Sequence, residues 1–455
     1  MRNSLRLLAG LLAFAAPAAA QPFVGVVCTD YVTGKFSVCE ADVPWTATPD
    51  VATIHSDAVG RAHGGRVYIV NRLGADNLQV LDPAQDFATL HEFSTGTATN
   101  PQGVAFSPDG SKAYLPRQNA DDVLVMDPET GEWLDTIDLS AWADADGSCE
   151  VGDCIAVGDR LFVAILRLNR NLYWTPVGDS YLAVIDMTTD TLVDCAPGTP
   201  GVQAIALAGK NPSWELSRAG ELILCSCVGF YGLADGGVEL VDPAALASLG
   251  YCVTESALGG DVGDAVWVSE TRAYAIVTDT NGVTRVKAFN PSTGGGVWVV
   301  APGTGYVYTD MELDAAGELF LADRTPGAEG LRVYLAETGE ALGHRIPVGL
   351  APFDVVMPAA GTAAETPPAL LARLDVWPNP FNPAVTLSVE LPAAGPLALR
   401  IFDALGKPVA TLAEGVQPAG RREFVWRPEG LASGVYLARA ETAAGAASAR
   451  LVMLK

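Results

Sequence analysis

The sequence predicts an all-β chain in two unequal parts, and three observations carry that reading. Gly 47 and Pro 30 are abundant among 455 residues, as many short strands joined by tight turns require. No stretch shows capped apolar periodicity at helical spacing. A unit of four short strands recurs along most of the chain, and a small-residue, Pro-rich stretch at 358–373 separates it from a differently patterned C-terminal segment.

The N-terminus reads as an export signal. Arg2 and Arg6 supply positive charge, Leu7 to Ala16 is apolar, and Ala18-Ala19-Ala20 offers a small-residue cleavage site. The apolar run is shorter than the roughly 20 residues of a membrane span. Residues 1–20 are therefore expected to be removed, leaving a soluble mature chain from Gln21 with no transmembrane segment.

The repeat is clearest from Gly103. "GVAFSPDG" is a strand and turn, "KAYL" a second strand, "DVLVMDPETG" a third with its turn, and "WLDTIDL" a fourth. The second strand recurs at 67, 113, 161, 222, 273 and 319, spaced by 46, 48, 61, 51 and 46 residues. Third strands end in Asp or Asn ("LQVLDP", "VLVMDP", "LAVIDM", "VELVDP", "VKAFNP"), a position where a short acceptor side chain holds the next turn. A seventh unit is split: "FVGVVCTD" and "KFSVCEAD" near the start would join "PFDVVMP" at 352, closing the ring and removing free sheet edges. Repeats of this length with four strands each predict a seven-bladed β-propeller over 21–357. Through "NPQGVAFSPDGSKAYL…VLVMDPETGEWLDTIDL" the sequence resembles the YVTN-type seven-bladed family, best over residues 66–140.

About seven short strands follow in 374–455, the pattern of an Ig-like sandwich. This module resembles the type A C-terminal sorting domain of type IX secretion substrates. The match lies in Trp377-Pro378-Asn379-Pro380-Phe381-Asn382-Pro383, Ile401-Phe402-Asp403 with Leu405-Gly406, Leu431-Ala432-Ser433-Gly434-Val435-Tyr436, and the terminal Leu451 to Lys455. The resemblance implies outer-membrane translocation by the type IX machinery and a place outside a Gram-negative-type bacterium. It also implies cleavage in the 358–373 linker and tethering to surface lipopolysaccharide.

The net charge of −25 becomes −27 without residues 1–20, and 374–455 carries +1, so the acidity belongs to the larger part. Such a surface repels nucleic acid and anionic lipid and suits divalent cations or cationic partners. Eight cysteines in an exported chain (28, 39, 149, 154, 195, 225, 227 and 252) suggest disulfides, with Cys28 and Cys39 facing across a hairpin and Cys149 and Cys154 closing a small loop. No Cys or His spacing matches a zinc site, and no P-loop, zincin or nucleophile-elbow pattern occurs.

Three groups of residues could carry chemistry. Asp57, Gln102, Asp153, Gln203, Asp264, Asp310 and Asp354 stand where each innermost strand begins, so they would surround the central tunnel. The five aspartates could hold Ca²⁺, which takes six to eight oxygens, as in some propeller lactonases; the alternative is that each caps a turn. Arg72, Arg117, Arg167 and Arg324 follow second strands on the same face and could bind an anionic ligand or pair with the aspartates. Asp144, Asp146 and Glu150, with Gly147, resemble a calcium loop without its full spacing. The function these features support is that of a monomeric, surface-delivered binding or scaffold protein for a glycan or protein, with no cofactor required. The alternative is a Ca²⁺-dependent hydrolase or lactonase at the tunnel mouth.

Overall fold

The computed structural model describes residues 23–358 apart from 213–214, and 374–454 apart from 392–394, 404–406, 419, 429 and 443–444. The export signal, nearly all of the linker and Lys455 of the sorting motif lie outside the described residues.

Seven antiparallel sheets form a closed ring, a β-propeller with seven blades. From blade 1 to blade 6 the innermost strands are Ala58–His63, Ala105–Phe106, Val151–Val157, Leu216–Ala219, Asp261–Ser269 and Tyr308–Leu313. Blade 7 is assembled from both ends of this region. Pro352–Val356 is its innermost strand and pairs with Phe23–Thr29, in register Val26 with Val355 and Val27 with Asp354. Gly34–Glu40 and Ala47–Ile54 complete it. The closing strand thus turns two free sheet edges into a ladder.

The second strands carry the core because both of their faces are covered by neighbouring blades. Their apolar runs are buried throughout, as in Arg66–Asn71, Arg160–Ile165 and Glu318–Asp323. A repeated aromatic position ties blade to blade. Tyr114 of blade 2 donates to the Met187 carbonyl at 3.1 Å in blade 3, and Tyr274 of blade 5 donates to the Ala336 carbonyl at 2.7 Å in blade 6. A buried phenol requires such a partner. The residues ending third strands hold their turns as expected. Asp82 accepts from Ala84 N, Asp127 from Glu129 N, Asp186 from Thr188 N, Asp242 from Ala244 N and Asn290 from Ser292 N.

The long 61-residue spacing is filled in blade 3. A small hairpin, Leu168–Asn169 with Thr175–Pro176, is inserted there, and the third strand Tyr181–Asp186 is flanked by two short pieces, Thr191–Leu192 and Ile205–Ala206.

The expected disulfides are not formed: all eight cysteines are thiols. Cys28 lies opposite Lys35 and Cys39 opposite Val24, so the pair stands four residues apart along the ladder, roughly 13 Å. That exceeds the reach of a disulfide, whose Cα atoms lie within about 7 Å. Cys149 turns its sulfur to Asp121 at 3.4 Å, and Cys154 turns to the Tyr114 carbonyl at 3.9 Å. Burial pushes the Cys28 and Cys39 thiols up to about 12, so they behave as small apolar core groups.

Residues 374–453 form two sheets, ordered Leu374–Trp377, Val385–Leu391, Gly420–Trp426 and Pro408–Gln417, Gly395–Asp403, Gly434–Thr442, Gly445–Met453. They enclose one apolar core that includes Leu387, Trp426, Leu399, Ala438 and Leu451. Among the described residues no helix is long and apolar enough to cross a membrane.

Candidate functional site

The innermost strands deliver a ring of carboxylates to the tunnel. Asp153, Asp264, Asp310 and Asp354 each bind the backbone of the next blade. Asp153 Oδ2 accepts from Leu216 N (3.0 Å), Asp264 from Met311 N (3.0 Å), Asp310 from Val355 N (2.6 Å) and Asp354 from Gly60 N (2.9 Å). None of these bonds holds its own turn; they staple neighbouring blades. Close approach is part of the design. A Cβ on Gly60 would stand 2.5 Å from Val356 Cγ2, and one on Gly103 would stand 2.1 Å from Asp153 Oδ1.

Glu215 Oε, Asp310 Oδ and Asp354 Oδ converge within 4.8 Å of one another. A cavity of about 100 Å³ lies among Arg61, Asp153, Glu215, Asp264, Asp310 and Asp354, with Thr309, Gln102, Arg72, Val59 and Phe353 completing its wall. Asp153 Oδ1 and Thr309 Oγ1 are buried there without a protein partner. The counter-charge is Arg61, whose Nη2 lies 2.8 Å from Glu215 and 3.2 Å from Asp153.

With Arg72 committed to Asp57, Arg61 alone does not balance Asp153, Glu215, Asp264, Asp310 and Asp354, or the neighbouring Glu312. Burial, followed by repulsion from Asp264 and Asp354, pushes Asp310 well above the usual carboxylate range. Glu215 is also raised well above it by burial, against the pull of Arg61. Burial lifts Asp264 to about 7, Glu312 to about 8 and Asp354 to about 6. These acids exchange protons as a set, and at neutral pH the tunnel retains protons or takes up a cation. Three convergent carboxylates with a spare hydroxyl and a spare carboxylate oxygen fit a hard divalent ion that prefers oxygen ligands.

Sequence reasoning brought Asp153, Asp264, Asp310 and Asp354 to this tunnel and missed Glu215, Glu312 and Arg61. Gln203 belongs elsewhere. It precedes Ile205–Ala206 in blade 3 and donates to the Pro200 carbonyl, while Glu215 immediately precedes the innermost strand of blade 4. The signal was available: counting back seven residues from the second-strand starts Arg160 and Leu222 reaches Asp153 and Glu215 alike. Asp57 lies at the mouth, bonded to Arg72 Nε at 3.0 Å.

Of the four arginines after second strands, Arg72 lines the cavity. Arg117 is engaged by Asp122 and the Thr95 carbonyl. Arg324 donates to the carbonyls of Thr29, Ala351 and Pro352, clamping the ring closure. Arg167 donates to the Asp179 carbonyl and lies 5.7 Å from the Tyr181 ring centre. In the 144–150 loop, Arg170 occupies the place of an ion. Its Nε meets Glu150 at 2.8 Å and its backbone N donates to Asp146.

Aromatic side chains lie beside one wall of the cavity. Phe353 in its wall packs edge-on against Tyr31 at 6.5 Å, and Arg324 lies over Tyr31 at 4.8 Å. Tyr306 is within electrostatic reach of Tyr31 and Tyr231, and burial followed by these phenols raises its own up to about 12. Tyr31, Tyr231 and Tyr306 nevertheless expose half or more of their surface.

A second constellation lies in the C-terminal sandwich. Asn379 grips the last strand, donating to the Arg450 carbonyl at 2.6 Å and accepting from Val452 N at 2.7 Å. Phe381, between Pro380 and Asn382, exchanges backbone bonds with Val452 and Leu454 while its ring packs 5.6 Å from Trp426. Pro378 and Pro380 form cis peptide bonds on either side of Asn379. Tyr436, two residues after Gly434, stacks edge-on to Trp426 at 5.3 Å and donates to the Ala432 carbonyl at 2.8 Å. The motif thus closes the start of the module onto its end.

Residues 375–454 match the family model described as a secretion system C-terminal sorting domain. This module is a type IX sorting domain. It directs the chain through the type IX system to the cell surface or the extracellular space. Beyond the sorting domain the comparisons speak to fold alone. No curated protein matches the sequence. A Bacteroides fragilis protein provisionally described as a 6-phosphogluconolactonase superposes with a TM-score of 0.52 at 14% identity, covering 75% of this chain and 99% of that one. Kuenenia stuttgartiensis hydrazine synthase gives 0.48 at 17% identity, over 66% and 88%. The β-propeller domain of Myceliophteria thermophila Cps50 (Swd1) gives 0.43 at 9% identity, over 74% and 94%.

Proposed function

We propose that this is an exported binding protein whose ligand face is the tyrosine-rimmed, acidic mouth of the propeller tunnel, and that its ligand is a glycan of the cell exterior. The observation that carries the reading is the exposed Tyr31 packed edge-on against Phe353 of the carboxylate-lined cavity, with the exposed Tyr306 and Tyr231 close enough to interact electrostatically. Exposed rings gathered on one face are characteristic of interaction sites. Tyrosine offers a flat apolar face with a polar tip at small entropic cost, and carboxylate oxygens accept hydrogen bonds from hydroxyl groups. A cavity of about 100 Å³ holds a few waters or one hydrated ion, so a sugar ring would rest on the rim rather than enter. The test is a glycan array probed with the wild type and with Tyr231→Ala/Tyr306→Ala. Selective binding lost in the variant, at unchanged melting temperature, supports the reading; identical profiles overturn it.

A metal-dependent hydrolase is favoured by one observation, the convergence of Glu215, Asp310 and Asp354 beside the unpartnered Asp153 Oδ1. A bound divalent ion would supply a Lewis acid there, and the buried carboxyl of Asp264, which lines the same cavity, is placed to serve as a general acid or base. Ca²⁺-dependent melting that Asp310→Asn abolishes, followed by turnover in a lactone and ester screen, would select this reading.

A further inference from the structure

The sorting domain is not a free appendage. Its central strand Gly434–Thr442 has two faces. Tyr436, Ala438 and Ala440 point into the sandwich core, whereas Leu437 and Arg439 point to the propeller. The neighbouring strand repeats this, with Leu399 and Ile401 inward and Phe402 outward. Phe402 and Leu437 belong to the same apolar cluster as Val43, Trp45 and Leu342 of blades 7 and 6.

Polar locks reinforce the contact. Arg439 Nη1 meets Glu318 Oε1 at 2.9 Å, with both side chains almost wholly buried (3% and 0% exposed). Trp45 Nε1 donates to the other Glu318 oxygen at 3.1 Å, and Arg439 Nη2 binds Asp42. At the rim Arg450 pairs with Glu340. Glu441 on its own strand reaches Arg439 Nε at 3.3 Å, while the two terminal nitrogens are matched by Glu318 and Asp42 of the propeller, and an unmatched buried charge is strongly unfavourable. The sorting domain's one-charge excess of base also meets an acidic propeller.

We infer that blades 6 and 7 form a dedicated receptor for the sorting domain, so that hydrolysis of a peptide bond within residues 358–373 does not separate the two parts. Detachment then requires a second event that breaks the Arg439–Glu318 contact, such as capture of the same sheet face by another protein. A sequence-specific protease site placed within 358–373 allows the full chain to be folded first and nicked afterwards.

The nicked wild type is expected to elute from a sizing column as one species at micromolar concentration, and nicked Arg439→Gln as two. Separation of the nicked wild type would overturn the inference, as would co-elution of nicked Arg439→Gln. Charge exchange guards against a variant that simply misfolds: Arg450→Glu is expected to weaken retention and Arg450→Glu/Glu340→Arg to restore it. Failure of the double variant to restore retention would count against the receptor face.

Discussion

The guanidinium of Arg61, on the innermost strand of blade 1, stands 2.8 Å from the carboxylate of Glu215, just before the far-removed innermost strand of blade 4. The contact spans the tunnel and joins residues 154 positions apart in sequence. Burial holds the Glu215 carboxyl above its ordinary range, and against the same burial Arg61 is held charged by Glu215, Asp153, Asp354 and Glu312. Removing the base exposes the repulsion it masks. Arg61→Met is expected to destabilise the propeller by about 3 kcal/mol at pH 8, where the acids ionise, and by clearly less at pH 5. Urea unfolding at the two pH values measures the difference.

The tunnel acids should also write a pH signature on stability. Asp354, Asp264 and Glu312 are raised to about 6, 7 and 8, so between the ordinary carboxylate range and these values the folded state holds more protons than the unfolded one. Stability must therefore fall as pH rises from about 4 to about 8. In EDTA the melting temperature is expected to drop across this window, and Asp264→Asn/Glu312→Gln to flatten the drop. A flat wild-type profile would contradict the raised values.

The staples separate hydrogen bonding from charge. Asn at position 310 keeps an acceptor for Val355 N and removes a repelled charge, whereas Ala leaves a buried N–H unpaired. In EDTA at pH 8, Asp310→Asn is expected to be neutral or stabilising, and Asp310→Ala to lose about 1–3 kcal/mol. Equal losses in both would mean that the ring is held by something other than this bond.

Gly60 offers a test of close approach at the ring closure. A methyl there would meet Val356 Cγ2 at 2.5 Å while Gly60 N serves Asp354. Gly60→Ala is expected to cost about 1–3 kcal/mol, whereas Gly158→Ala, at a turn with φ of 58° and open space around it, should cost about 1 kcal/mol from backbone strain alone. Thermal unfolding of the two variants distinguishes packing from turn strain.

Sequence by itself determined the elements with local or periodic causes. Apolar runs such as "VYIVN" and "LFVAI" became buried second strands, and the Asp or Asn closing the third strands of blades 1 to 5 held the next turn. The two ends of the propeller region met in blade 7 because unpaired edges are unfavourable for any sheet. The four tunnel aspartates were legible from repeat position, and Glu215 was hidden because blade 3 carries inserted residues that shifted the count toward Gln203. Tertiary structure decided what depends on neighbours remote in the chain. Arg61 became the tunnel's counter-ion only when blade 1 faced blade 4, Cys28 and Cys39 stayed thiols because strand register kept them apart, and Arg439 found Glu318 across 121 residues. Strand patterns report which face of one ladder is apolar. They carry no information on which ladder that face will meet, and charge pairing is settled at that meeting.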